Sequence, residues 1–212
     1  VNGLDVPADI TTQGHVTVHE RGLTGADSSH INDGSVTITA ADGLQSITVG
    51  GVPVDLAQLA ALDPNDPATH IEIDTPQGKL TLTGFDVTDS VGGVPTEGEL
   101  QFTYELEEVQ TTPADPADPD AGRNSTETIP LIVTDAGGET GTGDLVINIT
   151  DDVPVARDDA HSIDEDETSV TGNVITGGST GDVADTEGAD GAEVTGVIAG
   201  AHSSGHVADG GV

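Results

Sequence analysis

The sequence predicts an all-β protein, an antiparallel sandwich, on three observations. Short β-branched runs recur with period-two alternation, turn-forming pairs separate them, and no long amphipathic helix interrupts the series. Alternation of this kind turns every second side chain toward one face, so each run offers half its residues to a shared core.

The first run is residues 15–20 (HVTVHE), in which Val16, Val18 and Glu20 share a face and the carboxylate closes an apolar row. Residues 35–39 (SVTIT) follow, and Asp42-Gly43 turns the chain toward residues 46–49 (SITV). Gly50-Gly51 joins these to residues 52–56, a two-residue connection of the type that closes hairpins. Residues 55–62 (DLAQLAAL) are the one helical candidate, about two turns long. A turn-rich connection over residues 62–68 (LDPNDPA) then reaches a strand at 69–74 (THIEID). Thr75-Pro76-Gln77-Gly78 precedes the strand 79–85 (KLTLTGF), and Gly92-Gly93 lies before 100–106 (LQFTYEL). Residues 109–125 carry an acidic Pro-Ala-Asp repeat that cannot donate a regular ladder of hydrogen bonds and reads as an exposed loop. Strands at 129–135 (IPLIVTD) and 144–150 (DLVINIT), with Gly137-Gly138 between them, complete nine runs. Their number and spacing point to a sandwich of immunoglobulin-like type.

Residues 1–152 form this domain, and residues 153–159 read as an acidic linker within the boundary TDDVPVARDD. Residues 160–212 read as the opening part of a second β-domain, with strands expected at 160–163, 169–175 and 193–198 around a Gly/Asp-rich stretch at 177–191. So short an aromatic-free piece buries little core alone. The start at Val1, with no initiator Met, leads to the expectation of a piece excised from a longer chain.

Composition narrows the function. With 39 Asp plus Glu against 4 Lys plus Arg, the net charge is −35. Such a chain repels phosphate backbones and anionic lipid, which argues against nucleic-acid binding and electrostatic membrane docking and favours divalent cations or basic surfaces as partners. No run approaches the roughly 18 apolar residues of a membrane span, so no direct membrane insertion is expected. Cysteine is absent, which excludes disulfides, thiolate metal sites and cysteine nucleophiles. Phe85, Phe102 and Tyr104 are the only aromatic residues, so Val, Ile, Leu and Ala must supply the core and no sugar-stacking cleft is available for glycoside chemistry. Ser28-Ser29-His30 and Ser203-Ser204 lack a nucleophile elbow, and the chain is not expected to be an enzyme.

Carboxylates at close spacing form the candidate sites, because hard oxygen ligands suit Ca²⁺. Asp151, Asp152, Asp158 and Asp159 bracket Val-Pro-Val-Ala-Arg, whose Pro154 restricts the linker and holds both acidic pairs near the seam between domains. Glu20 and Asp135, each ending an apolar row, are the residues expected to join them. Asp164 and Asp166 belong to an acidic run whose neighbours alternate faces, so at most some of the run can share one ion. Asp182, Asp185 and Asp190 lie among glycines able to wrap an ion, in a spacing that matches no EF-hand loop. His15 and His19 share a strand face but stand about 13 Å apart, too far for one ion. His202 and His206 read as solvated polar residues.

The segments VTVHERGL, GSVTITAADGLQSITVGGVPV, TPQGKLTLTGFD, FTYEL and PLIVTDAGGETGTGDLVINITDDVPVARDD, in that order, resemble the tandem repeat of giant bacterial adhesins exported by type I secretion, the RTX or BapA-like surface proteins. The likeness covers residues 16–159; the Pro-Ala-Asp insertion departs from the repeat's usual pattern. The stretch IDEDETSVTGNVITGGSTGDVADTEGADGAEVTGV looks like the start of a cadherin-like or VCBS-type repeat. The resemblance implies a calcium-stiffened, cadherin-like spacer on the bacterial surface or in a biofilm matrix. Its partners would be neighbouring repeats of the same polypeptide, with lateral self-association left open. A glycan- or protein-binding module of the adhesin and an accessory domain of a large secreted enzyme stand as the alternatives.

Overall fold

A computed structural model of the chain describes residues 6–11, 14–25, 27–109, 124–152, 154–194 and 196. The chain divides into two compact units, Val1–Asp152 and Val153–Val212. In the first, the elements run β1 (Asp9–Ile10), β2 (Gly14–His19), β3 (Ile31–Thr39), β4 (Leu44–Val49), β5 (Val52–Asp55), α1 (Leu56–Ala61), β6 (Ile71–Asp74), β7 (Gly78–Val91), β8 (Val94–Leu106), β9 (Ser125–Asp135) and β10 (Thr140–Thr150). Two sheets of five strands each, ordered β1-β3-β8-β7-β6 and β2-β10-β9-β4-β5, form an all-β sandwich.

One pairing departs from the antiparallel expectation. β2 runs parallel to β10, in a register that sets Val18 opposite Ile149 and His19 opposite Thr150. The reason is connectivity: β1 and β2 belong to different sheets, so no hairpin turn dictates the direction in which β2 pairs. The other strand pairs are antiparallel, and the hairpins among them obey their turn chemistry. Gly50 and Gly51 take φ of 56° and 84°, and Gly92 and Gly93 take 62° and 88°, as two-residue hairpin turns require.

The strands are longer than their alternation alone indicated. β7 and β8 form one long hairpin around Gly92-Gly93, while β9 and β10 each begin four residues before the expected start. β6 begins at Ile71 because Pro67–Thr69 forms a 3₁₀ turn. The helix lies where the pattern placed it, opened by a reciprocal cap: Asp55 accepts from the Gln58 amide at 2.8 Å, and Gln58 Oε1 accepts from the Asp55 amide at 3.0 Å. Residues 110–123, most of the Pro-Ala-Asp segment, lie outside the described residues.

Inward faces of both sheets fill one core of aliphatic side chains around Phe102 and Tyr104. Small residues make room for the Phe102 ring. A Cβ on Gly34 would stand 2.5 Å from both Phe102 Cζ and Val16 Cγ2, and one on Gly14 would stand 2.9 Å from Leu145 Cδ2. The two glycines thus form a slot between sheets into which Phe102 fits, and the scarcity of aromatics makes that slot a local necessity.

Among its described residues the second unit has no comparable core. Val155, Ile163, Val170, Val174, Val183 and Val194 are all exposed. Residues 160–163 and 169–175 form no strand, which corrects the expectation for them, and the isolated bridges Val155–Thr186 and Gly188–Gly191 are the β-structure among the described residues of this unit. Without a buried apolar face there is little to hold strands in register. In the third expected strand, residues 195, 197 and 198 lie outside the described residues.

The slot is testable. Gly34→Ala should cost about 2 kcal/mol by driving Phe102 or Val16 from its place, a penalty typical of overpacking. Urea unfolding of the variant should show a lower midpoint; an unchanged midpoint would mean that the ring moves aside freely.

Candidate functional site

Among the described residues of the sandwich three acidic side chains are buried: Glu20, Glu127 and Asp135. Each occupies an inward position of the alternation on its chain segment, and each has a different environment.

Glu20 follows β2 directly and opens the 3₁₀ turn Glu20–Thr24, with none of its surface exposed. The register fixes its neighbour. Since His19 lies opposite Thr150, the next residues on the two parallel segments are Glu20 and Asp151. Carboxylate oxygens of Glu20, Asp151 and Asp152 come within 4.8 Å of one another, the group of three with that proximity among the described residues. Asp151 and Asp152 are half-buried. Arg21, next in the turn, pairs with Asp27 at 2.9 Å. Hydrogen bonds from Ser29, and then the Arg21 charge, hold the Asp27 carboxyl below its ordinary range.

Three carboxylates at this spacing, when all are ionised, repel one another by on the order of 3 kcal/mol per pair at an effective dielectric constant near 20. A hard divalent cation would offset that repulsion and find carboxylate oxygens as ligands. Ca²⁺ takes six to eight of them in flexible geometry, so the three side chains would supply part of a shell and main-chain carbonyls or water the rest. The donor set fits such an ion.

Asp135 stands elsewhere. It ends β9 beside the first residue of β10, whereas Glu20 lies beyond the last, and the ten steps along β10 between the two poles span about 33 Å. An ion shared by Asp135 and Glu20 is therefore excluded. Asp135 Oδ1 instead accepts from the Glu139 amide at 2.9 Å, which closes the β9–β10 hairpin.

The remaining sequence candidates belong to the second unit. Asp159 Oδ1 accepts from the Val183 amide at 2.6 Å and Asp185 Oδ1 from the Arg157 amide at 2.7 Å, so both carboxylates tie loops together. Asp182 accepts from the Asn173 and Ser179 amides and bonds to His161; the Asn173 amide foremost, then His161, hold its carboxyl below the ordinary range. Asp158, Asp164, Asp166 and Asp190 are exposed.

Glu127 escaped the sequence reading. It lies on the inward face of β9 with Ile129, Leu131, Val133 and Asp135, so carrying the alternation of PLIVTD back past Ile129 would have found it. Its Oε2 accepts from the Tyr104 hydroxyl and from Thr75 Oγ1, bonds that bridge the two sheets. Burial, and then the Glu127 carboxyl, push the Tyr104 phenol well above its ordinary value.

No protein family, no curated protein and no solved structure matches the chain. Among the described residues no helix is long and apolar enough to cross a membrane. Fold and site together define a β-sandwich with an acidic cluster at the pole where β2 and β10 end.

Because Tyr104 is the only tyrosine and tryptophan is absent, phenolate absorbance reports on this residue alone. A tyrosine whose folded pKa is raised contributes stability that is complete below the unfolded pKa, near 10, and is lost as pH climbs toward the folded value. The folded protein should show no phenolate signal at a pH where the urea-unfolded chain is fully ionised, and its stability should decline above pH ~10. Titration of the folded protein at the unfolded pKa would contradict a closed Tyr104–Glu127 bridge.

Proposed function

We propose that this chain is a calcium-stabilised structural extender repeat of a large secreted adhesin, working at the bacterial cell surface or in a biofilm matrix, and not an enzyme. The observation that supports this reading most is the buried Glu20 beside Asp151 and Asp152, where the polypeptide leaves the sandwich. A cation there would fasten the end of β10 to the end of β2 and fix the direction in which the chain continues toward the next repeat. The aliphatic core and the absence of cysteine are consistent with a module that uses an ion in place of a disulfide. The resemblance of residues 16–159 to type I-secreted repeats supplies the adhesin context and neighbouring repeats as partners. A glycan- or protein-binding module and an accessory domain of a secreted enzyme remain the competing readings.

Calcium removal tests the proposal. For an extracellular site with Kd of about 10⁻⁴ to 10⁻³ M, a hundredfold excess of free ion stabilises the fold by roughly 2.7 kcal/mol. Thermal melts at matched ionic strength should show a higher Tm in Ca²⁺ than in EDTA. Asp151→Asn with Asp152→Asn should abolish the difference, while a glycan array in calcium should remain blank. An unchanged Tm would refute the calcium role, and specific glycan capture would favour the binding-module reading.

A further inference from the structure

β7 outruns its neighbour. β6 is the last strand of its sheet and pairs with β7 over Lys79–Leu82, yet β7 continues to Val91. The turn at residues 63–66 reaches the edge at Gly84, where an added Cβ would stand 3.5 Å from Pro64 Cδ. From Asp86 to Val91, a length of about 20 Å, no main-chain hydrogen bond among the described residues reaches β7 from outside β8. The Ser90 amide is met locally by the Asp89 carboxylate. Val87, Val91 and Val94 on this two-stranded arm are exposed. Such an arm is marginal in water by itself, and an unpaired edge is a template for a further strand.

Charge selects the strand. The register of the arm sets Asp86 opposite Glu99 and Asp89 opposite Glu97, and like charges facing across a strand pair destabilise it. Gln101 Nε2 donates to Asp86 at 2.7 Å, which is a neutral donor and leaves the charge in place. Lys79, the only lysine of the chain, stands seven residues before Asp86 and faces Glu72 and Glu107 instead.

We propose that the outer edge of Asp86–Val91 takes up an extended basic segment of another polypeptide as an added strand, its main chain continuing the ladder and its lysines or arginines offsetting the four acids. A second copy of this chain is the occupant that the charges reject, since it would set its own aspartates against these. The register shifts around Asp89 also deny it a regular edge. Main-chain pairing supplies affinity in such an added strand, and the alternate side chains supply selectivity. The arm lies at the pole of the Asp42-Gly43 turn, whereas β8 ends beside His30 and β9 begins opposite Ile149, at the pole of the Glu20 cluster. The surface is thus separate from that cluster and does not depend on its ion.

Titration of the isotope-labelled full chain with a capped hexapeptide of alternating lysine and valine, followed by amide NMR and hydrogen exchange at physiological ionic strength, tests the assignment. Saturable shifts and slowed exchange are expected among the amides of Asp86–Val91, with a glutamate–valine hexapeptide silent. The lysine–valine peptide methylated at every amide nitrogen keeps its charge but cannot donate to a ladder, and should bind about tenfold more weakly or worse. Asp89→Asn with Glu97→Gln, both at exposed positions, should weaken binding severalfold, as the loss of surface ion pairs does. The comparison of the two lysine peptides uses the unaltered chain and stands even should this variant fail to fold. Equal binding of the methylated peptide, no shifts within Asp86–Val91, or undiminished binding in the folded variant would overturn the proposal. Removal of residues 1–5, which lead into Val6 where its amide meets Asp42 at the same pole, should leave the affinity unchanged. Tighter binding after that removal would make the chain's own first residues the occupant and overturn the partner assignment.

Discussion

The parallel pairing of β2 with β10 is the constraint on which the acidic cluster depends. Its register sets His19 against Thr150, and the following residues, Glu20 and Asp151, come together because both segments leave the sheet at the same pole. An antiparallel partner would send the end of β2 to the opposite pole and separate the acids by the length of the sandwich. The pairing also explains why Glu20 is buried. Val16 and Val18 face the core, and Glu20 continues their parity into the turn.

Around that pairing, the sandwich builds an aliphatic core within a chain whose net charge is −35. Most acids face water, where repulsion is screened. The buried ones are each given a specific solution: Asp135 closes a hairpin through the Glu139 amide, Glu127 binds the Tyr104 hydroxyl across the sheets, and Glu20 gathers with two aspartates. Main-chain and hydroxyl donors meet much of the need of the first two. The third gathers three carboxylates, which makes it the place among the described residues where a cation would have most repulsion to offset. In the second unit, carboxylates of Asp159, Asp182 and Asp185 accept amide hydrogen bonds between loops, a role that apolar packing takes in the sandwich.

Alternation and turn residues made most of the fold legible in the sequence. The runs at 15–20, 35–39, 46–49 and 100–106 carry their inward faces where the structure buries them, and the helix lies within the 55–62 run. Direction and sheet membership were not legible, because β2 owes its partner to contacts about 130 residues away in sequence. The two-residue β1 is too short to show a period. Glu20 was legible as the end of an apolar row and as a companion of Asp151 and Asp152, but the parallel pairing that brings them together was not. Glu127 was hidden by placing the strand start at residue 129, and the second unit misled because β-branched residues there meet no common face.

A crystal of the full chain grown in Ca²⁺, with an anomalous difference map recorded at a long wavelength, measures the central claim directly. The account predicts a peak bounded by carboxylate oxygens of Glu20, Asp151 and Asp152 at about 2.3–2.6 Å. An ordered cluster with no anomalous density between those oxygens, at calcium concentrations that saturate extracellular sites, would contradict it.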